Sequence, residues 1–387
     1  MGNYLNNYRK KPFIPIIQKT STLITLSLLS LICFIVSMNF KTIEVSASHD
    51  FKIKAANLMD KSLKTLKDYR LEKSVFIDSE NDPNETGLIG VPYSLITTDE
   101  GDLDAKLTTL DPNFSAVMVD LMHNIKLKKN DTIAVMLTGS MPGANIALLS
   151  ACKAMGVFPI IISSLGASQW GANQTDFTWL DMETILYEND LIPSRSVAAS
   201  IGGRNDMGRL LSPAGRKILT DNIVKYNILQ INEKRLADNI RERLKIYSSH
   251  IPLKRYSAVV NIGGGVASLG TSFNQRLLPP GIVKRSDIIE IGKNDGIEGS
   301  FSKLIKLNIT GLHILNIKSL VENYDLPFAP IPNPKIGTGR LYLEERYNLP
   351  TVALCLMIIS GAVLYVGYQS KKQIKEHLIK YEPDNLL

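Results

Sequence analysis

Two long apolar runs without a single charge, one near each end of the 387-residue chain, constrain its architecture more than any other feature. Residues 20 to 40 give 21 uncharged positions around LITLSLLSLICFIVSM, and residues 347 to 370 give 24 around TVALCLMIISGAVLYVG. A helix needs about 20 apolar residues to cross a bilayer core, and runs of this length without charge are uncommon inside soluble folds. Both are expected to be transmembrane helices. Arg9, Lys10, Lys11 and Lys19 precede the first run, and Lys371, Lys372 and Lys375 follow the second. Short basic flanks stay in the cytoplasm, so both termini are expected inside the cell and the intervening chain outside. Val45-Ser46-Ala47 also fits a signal-peptidase site. The 19-residue tail ahead of the first run argues against that cleavage, and the second run would anchor the protein in either case.

The expected organisation is a cytoplasmic tail (1–19), a transmembrane helix (20–40) and an extracytoplasmic domain (41–326). A Pro-rich linker (327–346), a second transmembrane helix (347–370) and a second cytoplasmic tail (371–387) complete it.

The formal net charge of +7 belongs mostly to the tails. Residues 41 to 346 hold 36 Lys and Arg against 34 Asp and Glu, so the domain itself does not call for a nucleic-acid partner. Charge is nevertheless segregated within it. Residues 78 to 131 carry 11 acids and 4 bases, and residues 195 to 255 carry 13 bases and 5 acids. Such runs are usually solvated helix faces; a real polarity of this kind would face a polyanion. Of the three cysteines, Cys33 and Cys355 fall in the apolar runs. Cys152 is then alone in the outer domain, which must be held by its core and not by a disulfide.

Between the runs, short apolar stretches alternate with helical ones. Residues 131–137 (DTIAVML), 157–163 (VFPIIIS), 257–262 (SAVVNI) and 312–317 read as strands, with further candidates at 197–200 and 288–291. Helices are expected at 50–72, 142–155, 177–187, 212–226, 232–247 and 300–306. This alternation predicts βαβ units, and hence an α/β fold with a mostly parallel, Rossmann-like sheet.

Ligands of such sheets bind beyond the carboxyl ends of the strands. Three segments fall there, and each combines glycines with hydroxyl or amide side chains. The first contains Gly139, Ser140, Gly143 and Asn145; the second Ser164, Gly166, Ser168, Trp170 and Asn173; the third Gly263, Gly264, Gly265 and Ser268. Alone, each is a tight turn as readily as a site. At equivalent places in one sheet, the three predict a shared pocket for a small anion, held by loop N–H groups. Arg204, after Gly202-Gly203, is expected to reach the same rim.

Named motifs of catalysis and cofactor binding are not met. The glycine run lacks the last glycine of GxGxxG, which argues against a dinucleotide cofactor. No serine sits in a complete GxSxG elbow. The four histidines of the outer domain, His49, His123, His250 and His313, lack metal-ligand spacing, so no metal is expected. Asp181 and Glu183 offer carboxylates near the second segment, or simply a helix start.

Four segments, GLIGVPYSLITTDEGDLDAK (87–106), TGSMPGANIALLSACKAMG (138–156), SSLGASQWGANQTDFTWLDME (163–183) and VVNIGGGVASLG (259–270), resemble the poly-γ-glutamate system protein family. The likeness covers nearly the whole chain, including both apolar runs. It implies a place beside the membrane-bound poly-γ-glutamate synthase and its integral-membrane partner, in making, exporting or retaining the polymer. It supplies no catalytic residues. Three expectations follow. The first is an accessory module that binds the polyanion or assembles the synthase complex at the outer face of the membrane. The second is a hydrolase or transferase of γ-glutamyl amides using Ser140, Ser168 or Ser268 as nucleophile. The third is a scaffold without a ligand.

Overall fold

Seven strands build the central sheet: β1 (Thr132–Thr138), β2 (Phe158–Ser164), β3 (Ser196–Ser200), β4 (Leu229–Gln230), β5 (Ala258–Ile262), β6 (Gly281–Val283) and β7 (Thr310–Ile314). The computed structural model of the chain describes residues 13–291 and 296–381. Arg9, Lys10 and Lys11 of the expected N-terminal tail, and residues 382–387 of the C-terminal one, lie outside the described residues.

The strands are ordered β4-β3-β2-β1-β5-β7-β6, parallel throughout except that β6 runs antiparallel to β7 at the edge. The chain therefore winds from β1 outward to β4, then returns to the other side of β1 and continues from β5. Strand order reverses between β1 and β5, the place where open α/β sheets leave a crevice.

Apolar side chains alternate between the two faces of each strand, which explains why the strands read as nearly continuous apolar runs. Ile133, Val135 and Leu137 enter the core on one face, Ala134 and Met136 the core on the other. The first face is covered by the helices His49–Glu72, Phe114–Asn124, Pro142–Met155, Trp179–Glu188 and Pro213–Lys225, the second by Leu236–His250 and Ser300–Ile305. Met59 and Leu66, on the long first helix, are wholly buried, and burial of such a side chain contributes roughly 1.5–3 kcal/mol. Local signals set the helix ends. Pro142 opens the helix after β1, and Gly156, with φ 69°, closes it in the left-handed conformation.

The apolar helices at the two ends form a unit of their own with their flanking strands. Thr20–Asn39 packs on the long helix Leu349–Tyr381, and Lys41–Val45 pairs with Leu343–Tyr347. Both helices are long and apolar enough to cross a membrane, with a mean hydropathy of 2.2, and only 6% of each apolar window is buried. Core helices of a soluble fold would be mostly buried, so these are not core helices.

Some expectations need correction. Residues 288–291 are not a strand; Arg285–Ile288 form a 3-10 turn and the edge strand is β6. The last strand ends at Ile314, because Asn316 caps a new helix, Ile317–Glu322, by accepting from the Ser319 N–H. The Pro-rich stretch is not a free linker. Ala329 N–H donates to Thr108 Oγ1 (2.8 Å), and the carbonyls of Pro330 and Pro334 accept from Asn84 and Asn113. A proline-rich stretch has few N–H donors to pair with its own carbonyls, and asparagine side chains supply them; the folded unit runs from Val45 to Leu343.

Candidate functional site

Where strand order reverses, the loops after β1, β2, β3, β5 and β7 surround a cavity of about 650 Å³. Ser140 and Met141 come from the loop after β1, Gly166 and Ser168 from that after β2, and Gly263, Gly264 and Gly265 from that after β5. The expectation that Ser140, Ser168 and Gly264 share one rim holds. The segment 98–102, leading into the short helix Leu103–Thr109, forms a further wall, and Lys318, after β7, another.

Lys106 stands at the centre of the polar contacts. It is carried by the helix Leu103–Thr109, whose N-cap Asp102 accepts from the Ala105 N–H (3.2 Å), and it is 5% exposed. Its Nζ donates to the Ser140 carbonyl, lies 3.3 Å from Met141 Sδ and meets Ser168 Oγ at 2.8 Å. Ser168 is tied back to the first loop through its N–H, which donates to Ser140 Oγ (3.0 Å). Burial pushes the Lys106 ammonium down to about 8, against the weaker pull of Asp102.

Other predicted residues build the walls. Ser164 lines the cavity, and its hydroxyl joins a buried network. Ser164 and Ser200 donate to Asp206 Oδ1 (3.0 and 2.7 Å), and Arg243 Nη2 bonds all three side chains (2.8–2.9 Å). Asp206 thus faces the cavity already neutralised, and it fixes the loop that carries Arg204 to the same cavity. Gly263, with φ 84°, brings its backbone so near Thr138 that a Cβ would sit 2.1 Å from Oγ1. A Cβ on Gly264 would meet nothing within 4 Å, so that backbone faces open space.

Six candidates do not line the cavity. Gly139 and Gly143 allow close packing, since a Cβ would lie 2.3 Å from the Leu165 carbonyl and 2.6 Å from that of Thr109. Asn145 Nδ2 donates to the Thr138 carbonyl (2.9 Å), sealing the end of β1. Asn173 holds the 91–97 loop through Val91 and Thr97 (2.6–2.9 Å), and Trp170 packs on the core. Ser268 is 2% exposed, behind Gly265. Asp181 and Glu183 are also elsewhere. Asp181 forms a capping box with Thr178, and buried Glu183 accepts from Ser196 N and Oγ. His313 is a core histidine, 3.2 Å from Asn261.

The basic segment does not form one surface. Lys217 pairs with Asp221, Lys225 with Asp181, Arg235 and Arg241 with Asp238, and Arg243 is buried. Arg216 donates to the Leu211 carbonyl (2.7 Å) and, with Arg209, lines a separate hollow of about 420 Å³. Of these cations, Arg204 alone lines the central cavity. Sequence reading missed Lys106 and Lys318. The available signal was local: Asp102-x-x-Ala-Lys is a capped helix start, which places Lys106 on a helix without revealing its partners.

Searches for matching family models, curated proteins and solved structures each return no match.

Proposed function

We propose that the two apolar helices anchor this chain in the cell membrane with both termini in the cytoplasm, and that the α/β domain outside binds the end of a γ-linked glutamyl chain. The likeness to the poly-γ-glutamate system family suggests the polymer, and with it the synthase and its integral-membrane partner as neighbours. One observation carries the choice of a chain end. The cavity is lined both by cations, Arg204 and Lys318, and by carboxylates, Asp99, Glu100 and Asp102. A surface built only to hold a polyanion gains nothing from three acids. The amino end of a γ-linked chain carries an α-ammonium beside its α-carboxylate and needs both signs.

Size agrees. About 650 Å³ falls within the roughly 300–1,000 Å³ of small-molecule sites, enough for a few residues and not for a polymer track.

The test is calorimetric titration of the full chain in detergent with a short γ-linked glutamyl oligomer. Saturable binding that weakens with added salt and is lost when the oligomer's amino end is acetylated is expected. Binding unchanged by acetylation, or no binding, overturns the reading.

A further inference from the structure

Lys106 and Ser168 make a contact that ligand binding alone does not require. Resting on the chain-end reading, we propose that Ser168 is a nucleophile and Lys106 its general base, so that the cavity cleaves or transfers γ-glutamyl amides. Three atoms surround Lys106 Nζ: the Ser140 carbonyl oxygen, Met141 Sδ and Ser168 Oγ. Two of these, the carbonyl and the thioether, can only accept. A neutral amine has two N–H groups and one lone pair. As an ammonium Lys106 donates to all three, Ser168 Oγ included; once it loses a proton, N–H groups kept on Ser140 and Met141 leave the lone pair to the one partner that can donate, the Ser168 hydroxyl. Among the described residues no carboxylate forms an ion pair with Lys106, and burial outweighs the pull of Asp102, so the neutral amine is reached in mildly alkaline solution.

The loop geometry serves the same end. The Ser168 N–H is bound to Ser140 Oγ, which holds the backbone of the nucleophile against the loop after β1. The open face of Gly264, on the lining of the same cavity, leaves room for a substrate backbone.

The chemistry balances within the chain and its substrate. Ser168 Oγ–H gives its proton to Lys106 Nζ as Oγ bonds to the γ-carbonyl carbon. The tetrahedral intermediate then breaks its C–N bond, and Lys106 returns that proton to the departing amine nitrogen. An ester on Ser168 remains. Water attacks it, giving its proton to Lys106 and thence to Ser168 Oγ, and releases the acid. An incoming amine in place of water gives transfer.

Asp102, at its own helix start, is the charge that acts on Lys106; the other charged groups of the cavity are Asp99 and Glu100 on the same wall, Arg204, Lys318, and Asp206, which Arg243 neutralises. The base acts when neutral, so the rate should rise with pH towards a plateau above the Lys106 pKa, which burial brings to about 8.

The experiment treats the full chain in detergent with a fluorophosphonate probe and, separately, with a γ-linked glutamyl oligomer analysed by mass. Labelling of Ser168 that climbs through mildly alkaline pH is expected, as is shortening of the oligomer. Ser168→Ala should lose both. Lys106→Arg, which keeps the charge but cannot act as a base at these pH values, should slow labelling by about 100-fold or more. Ser268→Ala, which alters a serine away from the cavity, should label like the native chain. Thermal melts of each variant confirm that the fold persists. If the native chain binds the oligomer but neither takes the probe nor shortens it at any pH, the catalytic assignment falls and the chain-end reading stands. Labelling at Ser168 without oligomer binding sustains the pair and overturns the substrate.

Discussion

Arg243 Nη2 lies 2.9 Å from Asp206 Oδ2, with the two side chains 0% and 1% exposed. Removing one partner of such a pair strands the other charge in the interior, at a cost of about 3–5 kcal/mol. Arg243 Nε and Nη1 have no hydrogen-bond partner, so the pair is not optimised for stability. Arg243→Met alone should therefore lower the unfolding midpoint sharply, whereas adding Asp206→Asn should recover most of the loss. Asparagine suits the φ of 62° at that position. Denaturant melts of the two variants and of Asp206→Asn complete the cycle. Equal destabilisation in the single and double variants would show that packing, not charge, is at stake.

The glycines separate fold from site. A Cβ on Gly139 would stand 2.3 Å from the Leu165 carbonyl, and a backbone atom cannot step aside cheaply. Gly139→Ala should destabilise by about 1–3 kcal/mol. Gly264→Val, whose side chain would enter empty space, should melt like the native protein and yet fail to bind the oligomer. Melting curves and titrations on the same samples distinguish the two effects.

Much of this architecture was legible because periodicity reports burial. The runs at β1, β2 and β5 are apolar on both faces, and each is followed by glycines, so both the strands and the common rim could be read off. Elements specified by contacts distant in sequence could not. β4 is two residues long and β6 three, too short to show a pattern, and each exists because a neighbouring strand offers a free edge. The Pro-rich stretch has a linker's composition; its packing depends on Asn84 and Asn113, more than 200 residues away. Lys106 was hidden for the same reason. Its partners Ser140 and Ser168 lie 34 and 62 residues on, and no spacing rule links a helix-start lysine to two loop serines.

Glu183 gives the domain a pH dependence of known sign. Burial raises its carboxyl to about 7, against the hydrogen bonds from Ser196. A carboxyl whose pKa is higher folded than unfolded binds more protons in the native state. Its contribution is therefore complete below the unfolded value near 4.5 and is lost as pH rises through 7. Glu183→Gln can keep both contacts to Ser196, with the amide oxygen accepting from N–H and the amide nitrogen donating to Oγ. The variant should match the native protein at acid pH and exceed it in thermal midpoint at pH above 7. Identical pH profiles would mean that Glu183 ionises freely in the fold.

Basic residues of the 195–255 segment should differ in their effect on oligomer binding, although the sequence presents them as one cluster. Arg204 lines the cavity, while Arg209 lines the separate hollow and Lys217 is held by Asp221 at 2.7 Å. An exposed pair such as Lys217–Asp221 is worth about 0–1 kcal/mol, so none of these replacements should unfold the domain. Arg204→Ala should weaken oligomer binding several-fold and flatten its dependence on salt, because one charge contact with the ligand carboxylate is removed. Arg209→Ala and Lys217→Ala should leave both unchanged. Titration of the three variants at low and high ionic strength reads this directly. Comparable losses in all three would mean that the polymer follows the whole basic segment, and that the cavity is not its principal site.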